Sequence, residues 1–190
     1  MQDARLDGVP KASSVTAEGD PDGWGPPCGF TPSVAPDGRT RILIHVPPEL
    51  LRETHLRLIG ALGGPLGVQY RRLTDRRSGR QLPAPETFLA MGLDPAKVQA
   101  ALSERDGLIW RDGRHQLWIR GPFGEQLVLD ELGVLYAYPD DPVFRDALAD
   151  LPEIRTPGMD TRDYVKVNFL ASADAEEESL IQALSLQRWG

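Results

Sequence analysis

The sequence predicts an α+β fold, a single domain whose helices cover one side of a mainly antiparallel sheet, behind a disordered N-terminal tail. Three observations carry this. Residues 107–138, GLIWRDGRHQLWIRGPFGEQLVLDELGVLYAY, read as a four-strand meander joined by turn signals. Segments on both sides of the meander combine helical apolar spacing with capping residues. Residues 1–38 carry Gly and Pro in dense succession, as in Gly19-Asp20-Pro21-Asp22-Gly23 and Gly25-Pro26-Pro27, with no apolar period. Such a segment buries too little surface to offset its ordering entropy. The expected division is therefore a disordered tail over 1–38, with Trp24, Cys28 and Phe30 inside it, and one domain over 39–190.

Arg41-Ile42-Leu43-Ile44-His45-Val46 is a β-rich run stopped by Pro47-Pro48. Pro48 suits a first helical turn, Glu49 and Glu53 suit the positive end of the dipole, and Leu51, His55, Leu58 and Leu62 recur at helical spacing before Gly63-Gly64. Leu66 to Leu73 is a second strand, which gives a β-α-β opening with room for one parallel pair. Its exit loop is Asp75-Arg76-Arg77-Ser78-Gly79-Arg80. Pro85 to Met91 is expected to be a short helix. A second helix follows, with Asp94 as N-cap, Pro95 at the first position and Val98, Ala101 and Leu102 as its apolar stripe.

Within the meander, Asp112-Gly113 is a strong two-residue hairpin signal, pairing Arg111 with Arg114, Trp110 with His115 and Leu108 with Leu117. That register puts Leu108, Trp110, His115, Leu117 and Ile119 on a core face. Ile109, Arg111, Arg114, Gln116, Trp118 and Arg120 fall on the other face. Turns at 121–124 and 130–133 lead through Leu127-Val128-Leu129 to Val134–Tyr138, and Pro139-Asp140-Asp141-Pro142 caps a helix to Leu151. Tyr164 to Leu170 is a last strand and Asp174 to Leu186 a last helix, with a capping-box spacing at Asp174 and Glu177.

The composition, 41% hydrophobic and 26% charged, is that of an ordinary globular protein. Only Lys11, Lys97 and Lys166 are lysines among 21 basic residues, a usage that fits a GC-rich bacterial genome. The single cysteine leaves no internal disulfide framework and no multi-cysteine metal site. With neither an apolar leader nor a membrane-length apolar run, the expected location is the cytoplasm.

Charge is unevenly distributed in this acidic protein, whose net charge is −7. Residues 39–120 hold 14 Lys and Arg against 8 Asp and Glu, and residues 121–190 hold 5 against 14. The basic stretch offers Arg71 and Arg72 on a strand and Arg111, Arg114 and Arg120 beside Trp118. Guanidinium groups interleaved with an aromatic ring suit anion contact and stacking, and these six residues are the candidate partner-binding set. The acidic stretch, with Asp130, Glu131, Asp140, Asp141, Asp146 and Asp150 and the run around Glu177, offers a surface that would steer a basic protein. Comparable surfaces occur on inhibitor and immunity proteins, and the analogy is one of composition alone.

No local motif demands a reaction. His45, His55 and His115 have no metal-ligand spacing, Cys28 has no fixed basic neighbour, and no phosphate loop or nucleophile elbow occurs. The expected catalytic residues, metals and cofactors are therefore none. An enzyme whose site is assembled from scattered residues is the weakest reading. The leading one is a non-enzymatic protein that binds another macromolecule, most readily a protein, as an inhibitor, immunity or accessory factor.

The alternative is nucleic acid. The order of helix 48–62, strand 66–73, helices within 85–104 and hairpin 108–120 resembles that of winged-helix domains, with Gly92 in a helix-turn-helix bend. The resemblance implies that Lys97, Gln99, Ser103 and Arg105 face the major groove and that residues 111–114 form the wing tip.

Overall fold

The computed structural model describes residues 9–14, 27–154 and 164–189. Ten strands are described: β1 (Ala12–Ser14), β2 (Gly29–Val34), β3 (Thr40–His45), β4 (Leu66–Thr74), β5 (Gln81–Leu93), β6 (His115–Arg120), β7 (Gln126–Leu129), β8 (Leu135–Tyr138), β9 (Tyr164–Val167) and β10 (Gln187–Trp189). The α-helices are α1 (Pro48–Ala61), α2 (Pro95–Ser103), α3 (Pro142–Ala147) and α4 (Ala173–Ala183), and Gly107–Arg111 is one π-helical turn. Eight strands form one antiparallel sheet in the order β10-β5-β4-β6-β7-β8-β3-β2, and β1 pairs with β9 in a small second sheet. The α+β class and the antiparallel sheet are as the sequence predicts. No described helix is long and apolar enough to cross a membrane.

The sheet separates two sets of side chains. Ile42, Ile44, Val68, Tyr70, Leu117, Ile119, Leu127, Leu129, Leu135 and Ala137 point inward into one core. There they meet Leu51, Leu58 and Ile59 of α1, Val98 and Leu102 of α2, Phe144 of α3 and Leu180 of α4. Burying this many aliphatic side chains at about 1.5–3 kcal/mol each is the main force holding helices to sheet. The alternation expected for 115–120 is present, since His115, Leu117 and Ile119 are buried and Gln116 and Trp118 are only half-buried.

Several elements differ from expectation for identifiable reasons. The stretch 85–91 belongs to strand β5, whose Phe88 pairs with Tyr70 and Leu89 with Gln69. Its prolines fit an edge, because β10 covers only Thr87, Phe88 and Leu89 and leaves Pro83 and Pro85 without a second neighbour. Gly92, at φ 72°, lies in the irregular end of that pairing between Val68 and Leu66, and is no helix-turn-helix bend. With 85–91 a strand and 107–111 a helical turn, the winged-helix order of elements is not present in this region.

The Asp112-Gly113 hairpin does not form either. Leu108, Ile109 and Trp110 are all fully buried in the π-helical turn, so neither Trp110 nor Leu108 has a cross-strand partner. Strand β6 instead lies between β4 and β7. Burial of three large apolar side chains in succession suits a turn wrapped in core better than an alternating strand. The β-α-β opening contains no parallel pair: β3 lies between β2 and β8, several strands away from β4.

Within 1–38, Gly29–Val34 is an edge strand of the main sheet, with Phe30 in the core, and Ala12–Ser14 pairs with β9. The Gly and Pro density hid an apolar contact and a lysine anchor that order these pieces. Trp24 and the remainder of the expected tail, 1–8 and 15–26, lie outside the described residues, as do 155–163.

Candidate binding face

The outward side of the main sheet carries a continuous row of paired residues. Reading across all eight strands, Gln187, Leu89, Gln69, Trp118, Val128, Tyr136, Leu43 and Thr31 stand opposite one another in turn. At the usual strand spacing the row is about 34 Å wide. Among the described residues the helices contribute their buried residues to the inward core, and the outward row is half-buried to exposed except for Val128, which is buried.

Three guanidinium groups lie over aromatic rings on this face. Arg71 is 5.2 Å from the centre of the Trp118 ring, Arg41 is 4.8 Å from that of Tyr136, and Arg39 is 4.7 Å from that of Tyr138. Such contacts are favourable and hold a mobile side chain flat on the sheet. Polar links extend the lattice: Trp118 Nε1 donates to Gln116 Oε1 at 3.2 Å, and Gln116 Nε2 donates to Glu131 Oε2 at 2.7 Å. Arg41 donates from Nε to Ser33 Oγ and from Nη1 to the Tyr138 hydroxyl. Arg120 is exposed, in the row next to Trp118, paired across to Gln126 and Gly67.

The six residues that the sequence groups as a binding set are thereby split. Trp118, Arg71 and Arg120 share the outward face. Arg72, Arg111 and Arg114 do not belong to it. Arg72 is one residue out of phase with Arg71 and reaches inward to Glu177 and Glu86, each at 2.7 Å. Arg111 is 3% exposed and donates to the carbonyls of Pro48 and Val9, because the π-helical turn rotates it inside. Arg114 is 4% exposed and is locked on Asp112, Asp174 and the Leu170 carbonyl.

These inward groups form a buried polar network that sequence patterning did not reveal. The Tyr70 hydroxyl donates to Glu177 Oε1 at 2.6 Å and accepts from Arg76 Nη2 at 2.9 Å, while its ring stacks 4.9 Å from His115. Lys11, 1% exposed, donates from Nζ to the Ile109 carbonyl at 3.0 Å and sits 3.2 Å from His115 Nε2. Trp110 Nε1 donates to His55 Nδ1 at 3.1 Å.

Burial dominates the titration of these groups. It lowers His55 to about 3, lowers Lys11 to about 8 against the pull of Asp112, Asp130 and Glu131, and drives His115 well below its ordinary value. Burial alone would raise Glu177, yet the hydrogen bonds from Arg72 and the charge of Arg76 hold it below the usual range. The network is mostly buried, with Arg72 and Asp174 partly exposed at its margin, and most of its charges are paired within it. Among the described residues, no group of three or more His, Cys, Asp or Glu is placed to hold a metal.

The acidic stretch is largely spent on pairing as well. Asp150 is bound by Arg57, Asp140 by Arg145, and Asp174 and Glu177 by Arg76. Asp130 is buried and accepts from the Leu132 and Val134 amides and the Tyr136 hydroxyl. Asp150, Asp174 and Glu177 are thus paired with arginines of the basic stretch, whereas Asp140 is paired within the acidic stretch itself. Arg41, Tyr136 and Tyr138, absent from the sequence-derived set, belong to the face. Their period of two in β3 and β8 was the available signal, and it acquires meaning only once the strand order places them beside Trp118. Compared with protein families, with curated proteins and with solved structures, the chain matches none.

Proposed function

We propose that this is a non-enzymatic binding protein that seats a protein partner on the outward face of its sheet, in the manner of an inhibitor, immunity or accessory factor. The observation carrying this reading is the set of three arginines lying on Trp118, Tyr136 and Tyr138 of one face. Trp, Tyr and Arg are the residues that dominate interface energetics, because each offers large contact area and a directed polar group at little entropic cost. Here their rotamers are already held by one another, which lowers the ordering cost of association.

The test replaces Gln69, in the centre of the face, by p-benzoylphenylalanine in the otherwise native chain and irradiates producing cells. A second protein carries the same group at Glu53, exposed on α1 on the opposite side. A discrete adduct from position 69, absent from position 53 and resistant to nuclease, is the expected result. Equal adduct patterns from the two positions, or none from position 69, would remove the reading. A nuclease-sensitive adduct would favour nucleic acid.

A further inference from the structure

The distribution of ion pairs narrows what that partner must present. Away from the outward face, the buried and rim arginines are matched with carboxylates, Arg57 with Asp150, Arg72 with Glu86 and Glu177, Arg111 with Asp106, Arg114 with Asp112, and Arg145 with Asp140, while Arg77 and Arg80 of the β4–β5 loop make no ion pair among the described residues. On the face Arg39, at its margin, is paired with Asp37 at 2.8 Å, but the other arginines differ. Arg41 has hydroxyl partners and a ring, Arg71 has the Gln116 amide oxygen at 3.4 Å and a ring, and neither makes an ion pair among the described residues. Arg120 is exposed and likewise makes none.

The carboxylates bordering this surface are already engaged, Asp130 with two amides and Tyr136 and Glu131 with Gln116. In a chain of net charge −7 the outward face therefore holds, among the described residues, three of its four guanidinium groups, those of Arg41, Arg71 and Arg120, without an anion. We infer that the partner's docking segment is acidic and amphipathic, its carboxylates meeting Arg41, Arg71 and Arg120 and its apolar side chains covering the half-buried Leu43 and Leu89. This inference rests on the reading of the face as a protein-docking surface.

Charge chemistry favours such a segment over a polyphosphate. A guanidinium whose flat side lies on a ring can still donate from its remaining N–H groups, to a carboxylate as to a phosphate, so the discrimination lies in the rings, the apolar row and the surrounding charge. The ring faces that bases would stack on are partly covered by those same guanidinium groups. The row between them contains the half-buried Leu43 and Leu89, which match apolar side chains and have no counterpart on a phosphate backbone. A densely charged polyanion also meets the repulsion of the remaining acidic surface, whereas a short acidic segment meets far less of it.

The experiment uses the full chain with p-benzoylphenylalanine at position 69, in the native background and with Arg71→Glu and Arg120→Glu combined. Arg71→Gln with Arg120→Gln serves as a milder pair, and melting curves confirm that each variant is folded. The expected result is an adduct whose crosslinked partner peptide, sequenced by mass spectrometry, has net negative charge. Its yield should fall on the order of tenfold or more in the charge-reversed protein and by less in the Gln pair. A neutral or basic crosslinked peptide, a yield indifferent to charge reversal, or an adduct destroyed by nuclease would overturn the inference. Loss of the adduct in the native background instead removes the broader reading, so the two failures are told apart.

Discussion

At the scale of single residues, Glu177 has the most partners at stake. It is 2% exposed, accepts from Tyr70 and Arg72, and lies 2.9 Å from Arg76 Nε. Glu177→Gln keeps the shape but removes the charge that compensates two guanidinium groups. Breaking a buried pair costs about 3–5 kcal/mol. Arg72 retains Glu86 and Arg76 retains Asp174, so the loss should fall at about 3 kcal/mol, measured by chemical denaturation at neutral pH. The pH dependence has a definite sign. Because the folded carboxyl is held below its value of 4.5, its contribution is complete above that pH and disappears as pH falls through the lowered folded value. The difference between native protein and Glu177→Gln should therefore shrink in acid, and a gap that widens there would contradict this account.

At the scale of elements, the junction at Gly113 joins the two sheets. Its amide donates to the Asn168 carbonyl at 2.8 Å, and Asn168 N donates to the Lys11 carbonyl at 2.7 Å. A Cβ at this position would run into Val167 and would come 2.7 Å from Lys11 O and 2.9 Å from Glu131 O. Gly113→Ala should thus destabilise by about 1–3 kcal/mol through displaced packing. Hydrogen exchange should show faster opening at the amides of Gly113 and Asn168 than in the helices; uniform exchange across the chain would show that the junction is not a local clamp.

The same position shows how far the sequence was legible. Strands β3, β4, β6, β7 and β8 and helices α1, α2 and α4 announce themselves by period, because each buries one stripe or one alternate face, and α2 by its Asp94 cap as well. The capping box expected at Asp174 and Glu177 does not form, since α4 starts at Ala173 without a side-chain cap and Glu177 turns to Tyr70 and Arg72. Asp112-Gly113 misleads because its glycine answers to a distant chain segment, and such close approach leaves no local pattern. Strand β5 misleads because pairing with β4 overrides the helix-start signal of Pro85. Of the candidate site, Trp118 and Arg120 are readable from alternation, whereas Arg71 and Arg72 are grouped by charge and alternation along β4 separates them. Arg111 and Arg114 were assigned to the wrong side because the segment before β6 is helical, where alternation does not hold.

At the scale of the whole molecule, the N-terminal piece around Lys11 ties three regions together, since its side chain reaches Ile109 and His115 while β1 pairs with β9. Around this ammonium stand Asp112, Asp130 and Glu131, which favour its charge, and Arg76, His115 and His55, of which the histidines are held neutral by burial. Burial prevails and lowers Lys11 from 10.5 to about 8. Between these values the unfolded chain holds a proton that the folded chain has released, so stability from this group rises as pH increases from about 8 to about 10.5. Lys11→Met keeps most of the side-chain volume and cannot titrate. The native protein should accordingly gain stability relative to Lys11→Met across that window, read from denaturant midpoints at pH 7, 8, 9 and 10.5. Tyr70 and Tyr136, whose ionisation burial pushes upward, are present in both proteins and drop out of the difference to first order. A difference that stays flat across the window would mean that the lysine reaches solvent and does not anchor the fold. A difference of opposite slope would mean that the carboxylates around it outweigh burial, and then Asp112→Asn should abolish that slope.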